Sequence, residues 1–240
     1  MPADICGQDI FIRGADYNHI RNVLRMKKGE VLSVSDGSGA REYRCHIEDF
    51  EEDCVHCRLD FIKEAEVELP VRITLFQCLP KGDKMEFVLQ KAVELGVYEI
   101  IPVRSARSVV KLDEKKAAGK TARWNAISEA AAKQSKRAYI PEVKPVVSFA
   151  DAVQYAATLD HALIPYELSD DFGRTRKLID SLQSGETAGV LIGPEGGFAE
   201  EEVEAARRSG IIPVSLGKRI LRTETAAMVF LSWLVYRFEH

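Results

Sequence analysis

The chain has 240 residues, of which 46% are hydrophobic and 29% charged, and its net charge is −4. Those are ordinary globular values with room for a sizeable core, and they exclude a disordered chain. The longest apolar stretch, residues 226–236 broken by Ser232, is too short to cross a membrane, and the start has no apolar run of signal-peptide length, so a soluble cytoplasmic protein is expected.

In chain order, Val31–Asp36, Glu42–Asp49 and Cys54–Phe61 read as short strands, with a hairpin turn at Gly37-Ser38-Gly39 and an acidic run over Glu48–Asp53. A polar linker, Lys63–Glu68, and Pro70 close this β-rich part, giving an expected N-terminal domain over residues 1–68. From residue 69 the pattern alternates. Strand Arg72–Leu79 precedes helix Asp83–Leu95, whose Met85, Val88, Leu89 and Ala92 share one face and which Gly96 stops. Strands at Val97–Val103, His161–Pro165, Gly189–Ile192 and Ile211–Leu216 follow, with helices near Arg174–Leu182, Glu200–Ser209 and Thr225–Phe238. Alternation of this kind predicts a parallel sheet flanked by helices over residues 69–240, with ligand sites at the C-terminal ends of strands.

Charge is unevenly spread. Residues 1–70 hold nine Lys and Arg against 15 Asp and Glu, whereas residues 104–137 hold ten against three, from Arg104 and Arg107 through Lys111, Lys133 and Lys136 to Arg137. A second basic stretch runs from Arg13 to Lys28. Such patches suit a polyanion, or else a solvated helix face. The five cysteines are odd in number, and Cys54-Val-His-Cys57 lacks a second pair, so no metal site is expected and the thiols read as structural or surface groups. The sequence contains no HExxH, GxSxG or P-loop motif.

Two loops at strand ends concentrate the chemistry. Ile192-Gly193-Pro194-Glu195-Gly196-Gly197-Phe198 is a rigid, glycine-rich loop whose backbone can approach a ligand closely. Leu216-Gly217-Lys218-Arg219-Ile220-Leu221-Arg222-Thr223-Glu224-Thr225 brings three cations and one carboxylate to a helix start, with Thr223 or Thr225 as its cap. A dinucleotide site would need GxGxxG after an early strand, and Glu200–Glu202 would repel a pyrophosphate, so a ligand read by backbone groups is favoured.

The segments IGPEGGF and LGKRILRTETA resemble the RsmE family, as do Lys81–Glu86, Gln90–Val97, Gln134–Arg137 with Ile140-Pro141, and His19–Met26 with Gly29. The resemblance spans essentially the whole chain. It implies a PUA-like RNA-binding β-barrel followed by a SPOUT methyltransferase domain tied in a C-terminal trefoil knot. The implied activity is methylation of N3 of a uridine in 16S rRNA of the small ribosomal subunit by S-adenosylmethionine, in a homodimer. The alternatives are another RNA target or a non-catalytic RNA-binding protein. Three loops would cradle the cofactor: Leu163 and Pro165; Ile192, Gly193, Pro194, Gly196 and Gly197; and Leu216, Gly217, Ile220 and Leu221. Arg222 is the first candidate to stabilise the uridine anion, the alternatives being a phosphate clamp or a structural pair with Glu224; Glu224 and Glu195 are the nearby carboxylates for a base, with water as the alternative. Arg21, Arg25, Lys27, Arg104, Arg107, Lys133 and Arg137 would meet RNA backbone. Two departures stand out: Ala199 where relatives often carry a capping Ser or Thr, and Ala106 where they often carry Glu.

Overall fold

The computed structural model describes residues 4–37, 41–64, 67–108, 114–167, 169 and 172–239. Most of the expected Gly37–Gly39 turn, part of the Lys63–Glu68 linker, Lys111, and the side chain of Lys115 lie outside the described residues. The chain divides into two compact units, residues 1–68 together with 136–140, and residues 69–135 together with 141–240.

The first unit is a five-stranded sheet of β1 (Asp4–Cys6), β2 (Asp9–Arg13), β3 (Val31–Ser35), β4 (Arg41–Phe50) and β5 (Cys54–Glu64). Its spatial order is β1-β2-β5-β4-β3, and every neighbouring pair is antiparallel. A short helix α1 (Gly14–Asn18) and a π-helical turn (His19–Val23) connect β2 to β3. Alternation along β4 sends Tyr43, Cys45 and Ile47 inward against Val55 and Cys57 of β5 and Ile10 and Ile12 of β2. Cys45 and Cys57 are therefore core residues with no exposure. The hairpin β1–β2 was not among the expected strands. It turns on Gly7, whose φ of 66° only glycine adopts without strain. Residues 136–140 join this unit through Glu68, whose carboxylate pairs with Arg137 and accepts the N–H groups of Ala138 and Tyr139 at 3.2 Å each.

The second unit alternates as expected: β6 (Arg72–Cys78), α2 (Lys84–Glu94), β7 (Glu99–Arg104), α3 (Glu114–Gln134), β8 (Glu142–Val143), β9 (Val147–Ser148), α4 (Phe149–Ala156), β10 (His161–Pro165), α5 (Phe172–Ser181), β11 (Thr187–Ile192), α6 (Glu200–Arg208), β12 (Ile212–Val214) and α7 (Thr223–Glu239). The sheet order is β12-β10-β11-β6-β7-β8, all parallel, with β9 beside β7. Strands buried on both faces read as nearly continuous apolar runs, which is why β6, β7, β10 and β11 were legible. The sequence reading had assigned no helix to α3 or α4. The first is polar on most faces, and its buried stripe of Trp124, Ser128, Ala131 and Ala132, at i, i+4, i+7 and i+8, is narrow and made largely of small residues. The second is short, and it is started by Ser148, whose hydroxyl accepts the Asp151 N–H at 3.2 Å.

Candidate active site

The strand order sets the C-terminal ends of β12, β10, β11 and β6 side by side, with Pro165 opposite Val214 and Ile192 opposite Gln77. The loops that leave β10, β11 and β12 therefore converge, as strand-end loops of parallel sheets do. They enclose a cleft of about 630 Å³, within the range of small-molecule sites. Pro165, Ile192, Gly193, Pro194, Gly196, Gly197, Leu216, Gly217, Ile220 and Leu221 all line it. Leu163 does not: it sits two residues back inside β10, 2% exposed and paired with Val190 and Ile212.

Glycines shape the walls. A Cβ on Gly193 would stand 3.2 Å from two ring carbons of Phe198, so glycine lets that loop fold back onto its own aromatic residue without displacing the ring. Gly217 has a φ of 109°, which a side chain would strain. A buried polar relay fixes the loop below. The Gln77 amide nitrogen, on a fully buried side chain, donates to Thr223 Oγ1 at 2.9 Å, and that hydroxyl donates to the Gly193 carbonyl at 2.6 Å. Thr223 is thus not a helix cap: α7 begins with the Ala226 N–H bonded to the Arg222 carbonyl at 2.8 Å, and the threonine hydroxyl ties α7 to the glycine loop. Gln77, which the sequence gave no reason to single out, lies one residue before the end of β6, directly beside Ile192.

A second set of contacts holds the loop from above. Glu195 Oε1 accepts from Lys84 Nζ at 3.0 Å and from the Lys81 N–H at 3.1 Å. Burial pushes the Glu195 carboxyl up, but the Lys84 hydrogen bond, two backbone N–H groups and the lysine charge outweigh it and hold the group below its ordinary range. The same contact raises the Lys84 ammonium. Glu195 is therefore a strut and a poor proton acceptor. Glu224 Oε2 lies 3.6 Å from Lys84 Nζ and is buried without a hydrogen bond. Arg222 lines the cleft and is exposed, and no hydrogen bond or ion pair engages its guanidinium among the described residues. At the start of α6, Ala199 has no side chain to cap with. Glu202 makes a different contact there, one carboxylate oxygen accepting the Ala199 N–H at 2.9 Å and the other the Ala106 N–H at 2.8 Å.

The cations expected to meet RNA fall into two groups. Arg21, Arg25, Lys27 and Arg104 are exposed. Arg107 is exposed too, but it donates to the Gly196 carbonyl at 2.9 Å and so braces the glycine loop. Lys133 pairs with Glu129 at 3.0 Å on α3. Arg137 is a correction: its side chain is 4% exposed and locked to Glu68, so its charge is not available to a phosphate. Elsewhere in the first unit, Asp9, Glu48 and His56 bring potential ligand atoms within 4.8 Å of one another. Arg58 already bonds both carboxylates, at 3.3 and 3.1 Å, and supplies the positive charge there.

Residues 67–235 match the family described as an RNA methyltransferase domain, and residues 12–59 match the RNA methyltransferase PUA domain. Ribosomal RNA small subunit methyltransferase E of Bacillus subtilis is 38% identical over 95% of this chain and 90% of its own length. The like-named protein of Synechocystis is 32% identical over 96% of this chain and 74% of its own. Two solved structures, each titled as holding S-adenosylmethionine, superpose closely. The methyltransferase E of Neisseria gonorrhoeae gives a TM-score of 0.84 at 32% identity, covering 98% of this chain and 95% of that one. A putative methyltransferase of Legionella pneumophila gives 0.83 at 35% over the same shares. A parallel-sheet unit whose strand-end loops close on one cleft, an antiparallel unit before it, and 32–38% identity to these relatives over at least 95% of this chain place it in the ribosomal RNA small subunit methyltransferase E family.

Proposed function

We propose that this protein transfers the methyl group of S-adenosylmethionine to N3 of a uridine in 16S rRNA of the small ribosomal subunit, in the cytoplasm. The observation that carries the reading is the cleft itself: three strand-end loops converge on it, Gly193 leaves room for Phe198, Gly217 takes a φ that a side chain would strain, and one unengaged guanidinium lies beside it. Such a cleft fits a cofactor whose adenine and ribose are read by N–H and C=O groups. Pro165, Ile192–Gly197 and Leu216–Leu221 would hold it, and Leu163 would only support them. The bound cofactor supplies an electrophilic methyl group on a sulfonium, so the protein's task is alignment.

The remaining work falls to this chain's own groups. Arg222, a permanent cation, is placed to stabilise the charge that develops on the uracil ring as the N3 proton leaves. Glu224, in the first turn of α7 and with one oxygen lacking a hydrogen bond, is the carboxylate placed to take a proton, since Glu195 is committed to Lys84 and Lys81. Arg107 and Glu202 keep the glycine loop closed over the site. The same reading includes a homodimer and a knotted C-terminal segment. Tyr236 at 73% exposure and Phe172 at 46%, packed on Trp233, leave apolar surface around α5 and α7 for a second copy. No helix among the described residues is long and apolar enough to cross a membrane.

The test is labelled methyl transfer to unmodified small subunits and, in parallel, to deproteinised rRNA, followed by nucleoside analysis. Label in 3-methyluridine is expected. Label in another nucleoside, or cofactor binding with no transfer to either substrate, would overturn the assigned target, and absence of cofactor binding would overturn the reading altogether.

A further inference from the structure

The segment between β2 and β3 sorts its apolar residues in two directions. Ile20 is 7% exposed in the core of the first unit, and Tyr17 and Met26 pack against that core. Between these anchors Val23 and Leu24 point to solvent at 66% and 55% exposure. The backbone there is unusual. His19–Val23 is a π-helical turn, closed by the Leu24 N–H on the His19 carbonyl at 2.9 Å, and Arg25 follows with a φ of 53°. π-Helical turns and left-handed non-glycine residues are costly, and they concentrate where a chain must present particular side chains.

The surroundings are stiff and cationic. Arg21 is held by the Tyr17 hydroxyl, with its guanidinium 5.5 Å from the Tyr17 ring and 6.0 Å from the Phe50 ring. Arg25, Lys27 and Lys28 are exposed, and among the described residues none has a side-chain hydrogen bond or ion pair. On the far side, Gly29 donates to the Ile47 carbonyl at 2.8 Å and pins the exit into β3. Two exposed aliphatic side chains on a rigid turn, ringed by four cations, complement a polyanion that also offers apolar faces between its charges. A folded nucleic acid has both: phosphates outside and stacked bases within.

We infer that the turn His19–Arg25 is an RNA wedge, in which Val23 and Leu24 enter a base stack while Arg21, Arg25, Lys27 and Lys28 hold the flanking phosphates. The inference rests on the proposed rRNA methylation and adds how the base is freed. A uridine paired or stacked in folded rRNA must be unstacked before its N3 can react, and an apolar wedge lowers that cost.

The test compares the wild-type protein with Val23→Ser/Leu24→Ser and Arg25→Ala/Lys27→Ala on two substrates: an rRNA hairpin with 2-aminopurine beside the target uridine, and the same sequence as a short single strand. The wild type is expected to raise hairpin fluorescence on binding. The serine variant should lose that rise, and should lose about tenfold or more in kcat/KM on the hairpin while changing less than about twofold on the single strand. The alanine variant should weaken binding to both and flatten the salt dependence. Both variants replace exposed residues, so cofactor affinity and circular dichroism serve as checks on folding. Equal loss on both substrates, unchanged hairpin kinetics in the serine variant, or no fluorescence rise with the wild type overturns the wedge. Because fluorescence needs no turnover, failure of methylation alone counts against the proposed function and leaves the wedge to be judged on unstacking. A serine variant that turned from dimer to monomer in sedimentation would assign the patch to a second copy and overturn it too.

Discussion

Thr223→Val removes one hydroxyl while keeping the side-chain volume, and the relay through that hydroxyl predicts its cost. In the wild type the hydroxyl accepts from Gln77 at 2.9 Å and donates to the Gly193 carbonyl at 2.6 Å, with Thr223 itself only 4% exposed. Valine satisfies neither partner. The Gly193 carbonyl loses that donor, at about 1–2 kcal/mol, and one hydrogen of the Gln77 amide is stranded, at about 1 kcal/mol more. The Gln77 oxygen already has no hydrogen bond, so a simple flip of the amide recovers nothing. A loss of roughly 2–3 kcal/mol in urea unfolding is expected, with an unchanged m-value. Cofactor affinity measured by titration calorimetry should fall as well, because Gly193 lines the cleft, and Thr223→Ser should recover most of both. A valine variant within about 0.5 kcal/mol of wild type would show that the relay contributes nothing and refute this account of how the loop is held.

Three further outcomes test separate parts of the site. Arg222→Ala should lower kcat by about a hundredfold while moving the cofactor Kd little, as loss of one charge-stabilising group does; if cofactor binding vanished and residual turnover tracked occupancy, the charge-stabilising role would be wrong. Glu195 has a folded-state pKa below its ordinary value, so its stabilisation is present above the ordinary glutamate range and is lost as pH falls through the depressed value. Thermal melts of Glu195→Gln should therefore lie below wild type near neutrality and converge with it in acid, and a gap independent of pH would refute the Lys84 contact. Arg137→Ala should cost roughly 2–3 kcal/mol by stranding Glu68, yet leave the salt slope of RNA binding intact, and the reverse pattern would return Arg137 to the RNA surface.

Much of the second unit was legible because both-face burial writes long apolar runs and because glycine, proline and charge punctuate their ends. The cleft loops were legible for the same reason: IGPEGGF and LGKRILRTE follow such runs directly. The identity of the neighbours was not. Strand order set Gln77 beside Ile192 and Val214 beside Pro165, and no local pattern encodes those pairings across scores of residues. Charge was the least reliable guide. Arg107, Lys133 and Arg137 look alike as cations in one basic run, yet one bonds a loop carbonyl, one forms an i,i+4 pair and one is buried against a carboxylate from far upstream. Ala199 illustrates the converse: the missing cap was visible, while the Glu202 carboxylate that ties the Ala199 and Ala106 N–H groups together depended on tertiary placement.

Glu68 and Arg137 have a consequence for dissection of the protein. The backbone passes between the two units three times, after residues 68, 135 and 140. No single cut therefore separates them, and a fragment beginning at residue 69 would carry Lys136–Ile140 away from the carboxylate that binds Arg137, Ala138 and Tyr139. Opening of the first unit must release a loop whose two ends are the C-terminus of α3 and the start of β8. Hydrogen exchange should then show Ala138 and Tyr139 protected in step with β3 and β4, far earlier in the chain, rather than with the helix that immediately precedes them.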